Sequence, residues 1–254
     1  MKHTQDRLLG GRVSYLQPAT GFRSGIEPIL LAAAIPARAG ERVLEGGTGA
    51  GAALLCLAAR VPDLSGLGVE RDPCLVSLAT RNAEANGAAG LAFFAADVTA
   101  LPPGTPLASG PFDHAFANPP YHAPEGTASP LAARVQAKRG EPGLLAAWAR
   151  ALATSLRHRG TLTFILPAGS LPECLAAMTA AGCAAGAVLP LWPKLGQPAK
   201  LLLVRGVKGG RAPLCMLPGL VLHQADGAFT PPAEAILREG APLEDFSYAS
   251  RGRN

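Results

Sequence analysis

From Arg42 onward the apolar positions of the chain switch repeatedly between two spacings: short runs of strand type, then longer stretches of helical type. Arg42 to Glu45 reads as a short strand, Ala50 to Arg60 as an apolar helix and Leu64 to Glu70 as a strand. Pro73 to Asn86 reads as a helix closed by Gly87, and Leu91 to Ala96 as a third strand. Phe112 to Ala117 supplies a fourth strand. A helix over Gly143 to Leu156, ended near Gly160, precedes a fifth strand, Thr161 to Leu166, and a helix from Leu171 to Ala181 stops at Gly182. Ahead of this alternation lies a polar start, then a helix from Pro28 to Ala34 with proline in its first turn.

The alternation breaks near the end. Ala187 to Leu191 and Leu201 to Val207 are strand-like, with only Trp192 to Pro198 between them, which is too short for a crossover helix. Alternating strands and helices predict an α/β fold with a doubly wound, mostly parallel sheet, and the last two strands add an antiparallel edge hairpin. Beyond Gly209 a short strand is expected over Leu220 to His223, a turn at Asp226-Gly227 and a helix from Pro231 to Arg238. The expected organisation is a leader and helix over 1–40, the main domain over 41–209, and an extension of that domain over 210–254.

With 254 residues, 48% of them apolar, the chain has ample material for one large core. The 30 glycines and 24 prolines are scattered through periodic segments, which argues against low complexity. Net charge is +5, concentrated in two stretches. Arg134, Lys138, Arg139, Arg150, Arg157 and Arg159 face the single acid Glu141; Lys194, Lys200, Arg205, Lys208 and Arg211 face none. Such stretches fit a polyanionic partner. The five cysteines have no metal-ligand spacing and are odd in number, so reduced thiols are expected and no metal site. Without a signal-type apolar start or a long apolar run, no membrane span is expected, and the expected location is cytoplasmic.

Chemistry gathers at the strand ends. After the first strand comes Glu45-Gly46-Gly47-Thr48-Gly49-Ala50-Gly51, an acid and then glycines that let the backbone pass close beneath a ligand. Its spacing differs from the G-x-G-x-x-G that seats a pyrophosphate. Glu70 ends the second strand, where an acid can accept both hydroxyls of a ribose; the alternative is a solvated strand-end charge. Asp97 follows the third strand, where it would also serve as a turn cap. The fourth strand ends in Asn118-Pro119-Pro120-Tyr121: an amide carbonyl, a free backbone carbonyl on a fixed proline, and a ring, together able to hold and stack a planar amine.

Asn118 to Tyr121 resembles the signature of S-adenosylmethionine-dependent amino methyltransferases, and Glu45 to Gly51 resembles their first motif. The resemblance implies a seven-stranded Rossmann-like sheet with S-adenosyl-L-methionine as cofactor. It further implies Glu45 near the cofactor's amino group, Gly47, Thr48, Gly49 and Gly51 around its nucleoside, and Asp97 at its adenine amine. Asn118, Pro119, Pro120 and Tyr121 become the catalytic set. His122 reads as a surface histidine, since the transfer needs no strong base.

Four further segments resemble bacterial tRNA adenine-N6 methyltransferases of the small methyltransferase domain group: Leu9 to Arg12, Gln17 to Glu27, Pro198 to Gly209 and Phe229 to Leu237. By that resemblance the acceptor is adenine N6 in a tRNA anticodon loop. Phe22 and Glu27 depart from the usual Tyr and Asp. Arg23 would contact the cofactor's carboxylate or be an ordinary surface arginine. Arg134, Lys138 and Arg139, in the loop after the catalytic turn, would clamp RNA phosphates or stay solvated. The rivals are a protein glutamine amide, a ribosomal RNA guanine amine, or a non-catalytic scaffold that binds cofactor or RNA. Glutamine methyltransferases usually carry a helical recognition domain, for which the roughly 40 residues before the first strand look too few.

Overall fold

The computed structural model describes residues 2–20, 23–100, 111–120, 143–244 and 246. Eleven strands and six helices are formed within them. The polar start is not a coil: β1 (His3–Leu8) and β2 (Val13–Pro18) form an antiparallel hairpin with His3 opposite Pro18 and Leu8 opposite Val13. Leu9, Gly10 and Gly11 turn it, all with positive φ. The hairpin packs against α1 (Glu27–Ala34), α2 (Ala52–Arg60) and α3 (Pro73–Ala85) in the larger of two apolar clusters.

The main sheet follows the predicted alternation. β3 (Arg42–Gly46), β4 (Ser65–Glu70), β5 (Leu91–Ala95), β6 (Phe112–Ala117) and β7 (Leu156–Pro167) are parallel neighbours in the order 5-4-3-6-7. β9 (Leu201–Lys208) lies antiparallel between β7 and β8 (Cys183–Lys194), as expected for the edge hairpin. These seven strands are the expected sheet; the strand expected over Leu220 to His223 joins it too, and one that was not expected brings the number to nine. β10 (Cys215–Met216) and β11 (Leu220–His223) run parallel to β8 on its outer side, because the backbone of β8 there is otherwise an unpaired edge. β7 also starts five residues earlier than predicted, a polar extension (Arg157 to Arg159) with Arg159 at φ 65° that carries no apolar signal.

α4 (Leu144–Thr154) and α5 (Leu171–Ala180) cover the face opposite α1, α2 and α3, burying Trp148, Leu152 and Met178 on the sheet. The result is three layers, α/β/α, with the carboxyl ends of β3, β4, β5, β6 and β7 on one rim. A further helix, α6 (Pro231–Glu234), starts at Thr230, whose hydroxyl caps it, and continues as a wider turn to Glu239.

Arg205 corrects the charge reading. It is 1% exposed, not part of a basic surface. Its guanidinium donates to the carbonyls of Ala34 and Phe246 and stacks 4.1 Å from the Phe246 ring, and burial lowers its pKa to about 9. Lys208 donates to the carbonyls of Leu156 and Thr154, and Lys194 to that of Ala225. Arg157 pairs with Asp113 at 2.5 Å. Four of the eight described cations in the two basic stretches are therefore engaged within the fold. Among the described residues no helix is long and apolar enough to cross a membrane, and no cluster of His, Cys, Asp and Glu is placed to hold a metal.

Candidate active site

A cavity of about 240 Å³ opens where β3 and β6 end side by side, with Gly46 paired to Ala117. Its floor is the glycine-rich turn: Glu45, Gly47, Thr48, Gly49 and Ala50. Asn118, one residue beyond β6, forms part of the wall, and Pro119 behind it is buried. Asp72 and Leu75 at the start of α3 close a further side. Pro28 and Leu31 of α1 and Ala52 and Ala53 of α2 line it as well, and one more wall comes from a strand the sequence did not reveal: Tyr15, Gln17 and Pro18 of β2, with Thr20 and Ser24 just beyond. The alternation Val13-Ser14-Tyr15-Leu16 was the available signal, shortened by Pro18 and read as polar because β1 is half exposed along its length.

The turn is shaped from below as well as from above. Gly47, Gly49 and Gly51 have φ of 65°, 57° and 88°, values that favour glycine. At Gly46 a β-carbon would meet Leu152, Val98 and Trp148 at 3.3–3.4 Å, so a larger residue fits there only if these side chains give way. At Gly49 nothing lies within 4 Å, so that side of the turn is free for a ligand.

Glu45 is 4% exposed and accepts a 2.6 Å hydrogen bond from the Thr48 hydroxyl. Burial pushes its carboxyl up to about 8, with the nearby Glu70 charge acting in the same direction. A carboxyl that holds its proton for want of water becomes a carboxylate when a cation arrives to pair with it, which makes it a fitting partner for a ligand's ammonium group. Glu70 accepts one backbone amide on each oxygen, Gly49 N at 3.1 Å and Asp72 N at 3.0 Å. Each oxygen keeps a lone pair, so a vicinal diol still fits. Across the cavity, burial raises Tyr15 to about 12, and its hydroxyl shares a 2.9 Å hydrogen bond with Ser24. A carboxylate for a cation, a carboxylate for a diol, and bare backbone between them suit S-adenosylmethionine.

Of the predicted residues that are described, Gly51, Glu70, Pro119 and Pro120 stand next to or just behind lining residues without lining the cavity themselves, and Asp97 and Arg23 are engaged elsewhere. Asp97 is exposed and accepts from both the amide and the hydroxyl of Thr99, bonds that hold its pKa below the usual value; the turn-cap alternative describes its present contacts. Arg23 pairs with Asp6 at 3.0 Å and donates to Thr4 on β1, so it fastens the hairpin. Tyr121, His122, Arg134, Lys138 and Arg139 lie outside the described residues.

Comparison with known proteins agrees with this geometry. Residues 27–140 match the family model described as methyltransferase small domain. A release factor glutamine methyltransferase from Rhodospirillum rubrum is 43% identical over 82 residues, 32% of this chain and 24% of that enzyme; the match thus spans about a quarter of the curated relative's length. Among solved structures, protein Atu636 from Agrobacterium tumefaciens, described as a predicted O-methyltransferase, is similar with TM-score 0.66 and 27% identity over 88% of this chain and 96% of that one. Precorrin-6y C5,15-methyltransferase from Geobacter metallireducens GS-15 shares the fold, with TM-score 0.51 and 11% identity over 76% and 92% of the two chains. Residues 27–140 thus resemble a methyltransferase small domain, and the chain shares the Rossmann-like fold of solved methyltransferases.

Proposed function

We propose that the chain methylates an exocyclic amine, with adenine N6 in a tRNA anticodon loop as the acceptor. The observation that carries the amine reading is the position of Asn118, which lines the cavity at the end of β6, directly beside the glycine-rich turn. When bound, S-adenosylmethionine supplies an electrophilic methyl on a sulfonium. The chain's share is orientation. The Asn118 side-chain carbonyl and the Pro119 backbone carbonyl accept the two hydrogens of the incoming amine, and this favours a more pyramidal nitrogen with its lone pair available. Pro119 and Pro120 hold the backbone so that these acceptors converge, and Tyr121 stacks on the base. Glu45, Thr48, Gly47, Gly49, Gly51 and Glu70 hold the cofactor.

The tRNA acceptor is supported by the flanking segments that carry that resemblance. Gln17, Pro18, Thr20 and Ser24, all from the leader, build a wall of the cavity. RNA loops present unstacked bases, so little energy is needed to bring one into the site. The 43% identity to a release factor glutamine methyltransferase favours a second reading, transfer to a glutamine amide, whose NH2 meets the same two acceptors.

The purified chain, given methyl-labelled cofactor and separately bulk tRNA, ribosomal RNA or release factors, decides between them after digestion to nucleosides or amino acids. Label in N6-methyladenosine from tRNA is the expected result. Label in glutamine of release factors transfers the assignment to the second reading, and label in ribosomal guanine excludes both.

A further inference from the structure

Two walls of the cavity come from segments far apart in sequence. One is the turn from Gly47 to Ala50; the other is β2, in a hairpin that belongs to a separate two-stranded sheet. A single side chain touches both. Asn82 on α3 is 1% exposed; its amide nitrogen donates to the Leu16 carbonyl at 2.9 Å and to the Ala50 carbonyl at 2.9 Å, while its carbonyl accepts the Leu16 amide at 2.8 Å. Leu16 stands between Tyr15 and Gln17, and Ala50 follows Gly49, so every peptide held by Asn82 adjoins a residue of the cavity wall.

One turn later Asn86 repeats half of the arrangement. It accepts the Ser14 amide at 2.8 Å and donates to the Ser14 carbonyl at 2.7 Å, but its second hydrogen goes to Asn82 of its own helix, also at 2.7 Å. Asn86 therefore fastens the hairpin without reaching the glycine-rich turn. Together the two amides offer β2 the donor and acceptor pairs that a third strand would offer.

We infer that Asn82 is a positioning residue for the cofactor, fixing the distance between the hairpin wall and the glycine-rich turn; this rests on the cofactor reading given above. Losing the Asn82 amide leaves the Ala50 carbonyl without its buried donor, and the turn whose Gly49 amide donates to Glu70 is free to shift. Losing the Asn86 amide loosens the hairpin alone. A merely structural role predicts equal effects from the two, since each side chain makes two hydrogen bonds to β2.

The test compares Asn82→Ala and Asn86→Ala in the full chain, with dissociation constants for S-adenosylmethionine and S-adenosylhomocysteine by calorimetry and melting temperatures alongside. Asn82→Ala is expected to weaken both ligands about tenfold or more, and Asn86→Ala less than about threefold, at comparable melting temperatures. Equal weakening by the two variants, or none by Asn82→Ala, overturns the inference. Failure of the unmodified chain to bind either ligand would instead overturn the cofactor reading. Should Asn82→Ala not fold, hydrogen exchange on the unmodified chain decides: cofactor should slow the Leu16 amide together with that of Gly51 and leave Ser14 unchanged. Slowing at Gly51 without Leu16 sinks the proposal.

Discussion

The indole of Trp148 lies directly under Gly47: a β-carbon on that glycine would stand 2.7 Å from Cη2 of the ring. The contact joins α4, on one face of the sheet, to the turn that floors the cavity. Gly47→Ala therefore combines a positive φ with a clash against a buried ring, and a stability loss of about 2–3 kcal/mol is expected. Gly49→Ala meets nothing within 4 Å and should lose only about 1 kcal/mol, yet its methyl enters the ligand's space and weakens cofactor binding. Denaturant titration beside calorimetry checks the pair; a larger stability loss at Gly49 would contradict the role given to Trp148.

Asn118→Ala should reduce turnover by about 100-fold or more while cofactor affinity stays within several-fold, because the amide is assigned to the acceptor amine. Steady-state rates with the identified acceptor and direct cofactor titration separate the two quantities. Unchanged turnover removes Asn118 from the mechanism.

Glu45 gives the ligand-free protein a pH dependence between acid and neutral pH. Burial raises its folded pKa from 4.5 to about 8, so the folded form keeps a proton that the unfolded form releases between those values. Its contribution to stability is full below about pH 4.5 and declines as pH rises, until it is lost near pH 8. Melting temperatures across that window should fall with pH, and Glu45→Gln should flatten this part of the curve. A variant with the same slope as the parent assigns the dependence elsewhere.

Arg205→Met keeps the bulk of the side chain but withdraws the donors to Ala34 and Phe246. A loss of about 3 kcal/mol is expected, with a melting temperature lower by roughly 6–12 °C. Because the guanidinium is buried, the salt dependence of any RNA binding should not change, whereas an arginine that contacted phosphate would reduce the slope by about one ion. Filter binding over a salt series measures it.

The alternation of strands and helices was legible because β3, β4, β6 and the second half of β7 are buried on both faces, so short continuous apolar runs mark them, while the helices between them carry longer apolar stretches. The glycine-rich turn and Asn118 were legible for the same reason, being the residues that follow such strands. The N-terminal hairpin was not. Thr4, Gln5, Asp6 and Arg7 have no apolar face, and what holds β2 in place is the pair of amides Asn82 and Asn86, whose side chains look like ordinary polar positions on a helix. Arg205 was misread because charge along a sequence does not tell burial; its partners, Ala34 and Phe246, lie 171 and 41 positions away and offer backbone carbonyls that any residue could supply. Asp97 occupies the expected strand end, but its contacts are made with Thr99 two residues on, a local turn that spacing along the chain does not separate from a ligand contact.

Leu16 and its clasp Asn82 are 66 positions apart. On a ribosome adding about 5–20 residues each second, the segment synthesised first waits roughly 3–13 s before the helix that receives it has been made. The cofactor chamber is thus completed backwards, its earliest-made wall docking only after the floor and the third helix exist, and in the interval the outer rim of β2 has water for a partner.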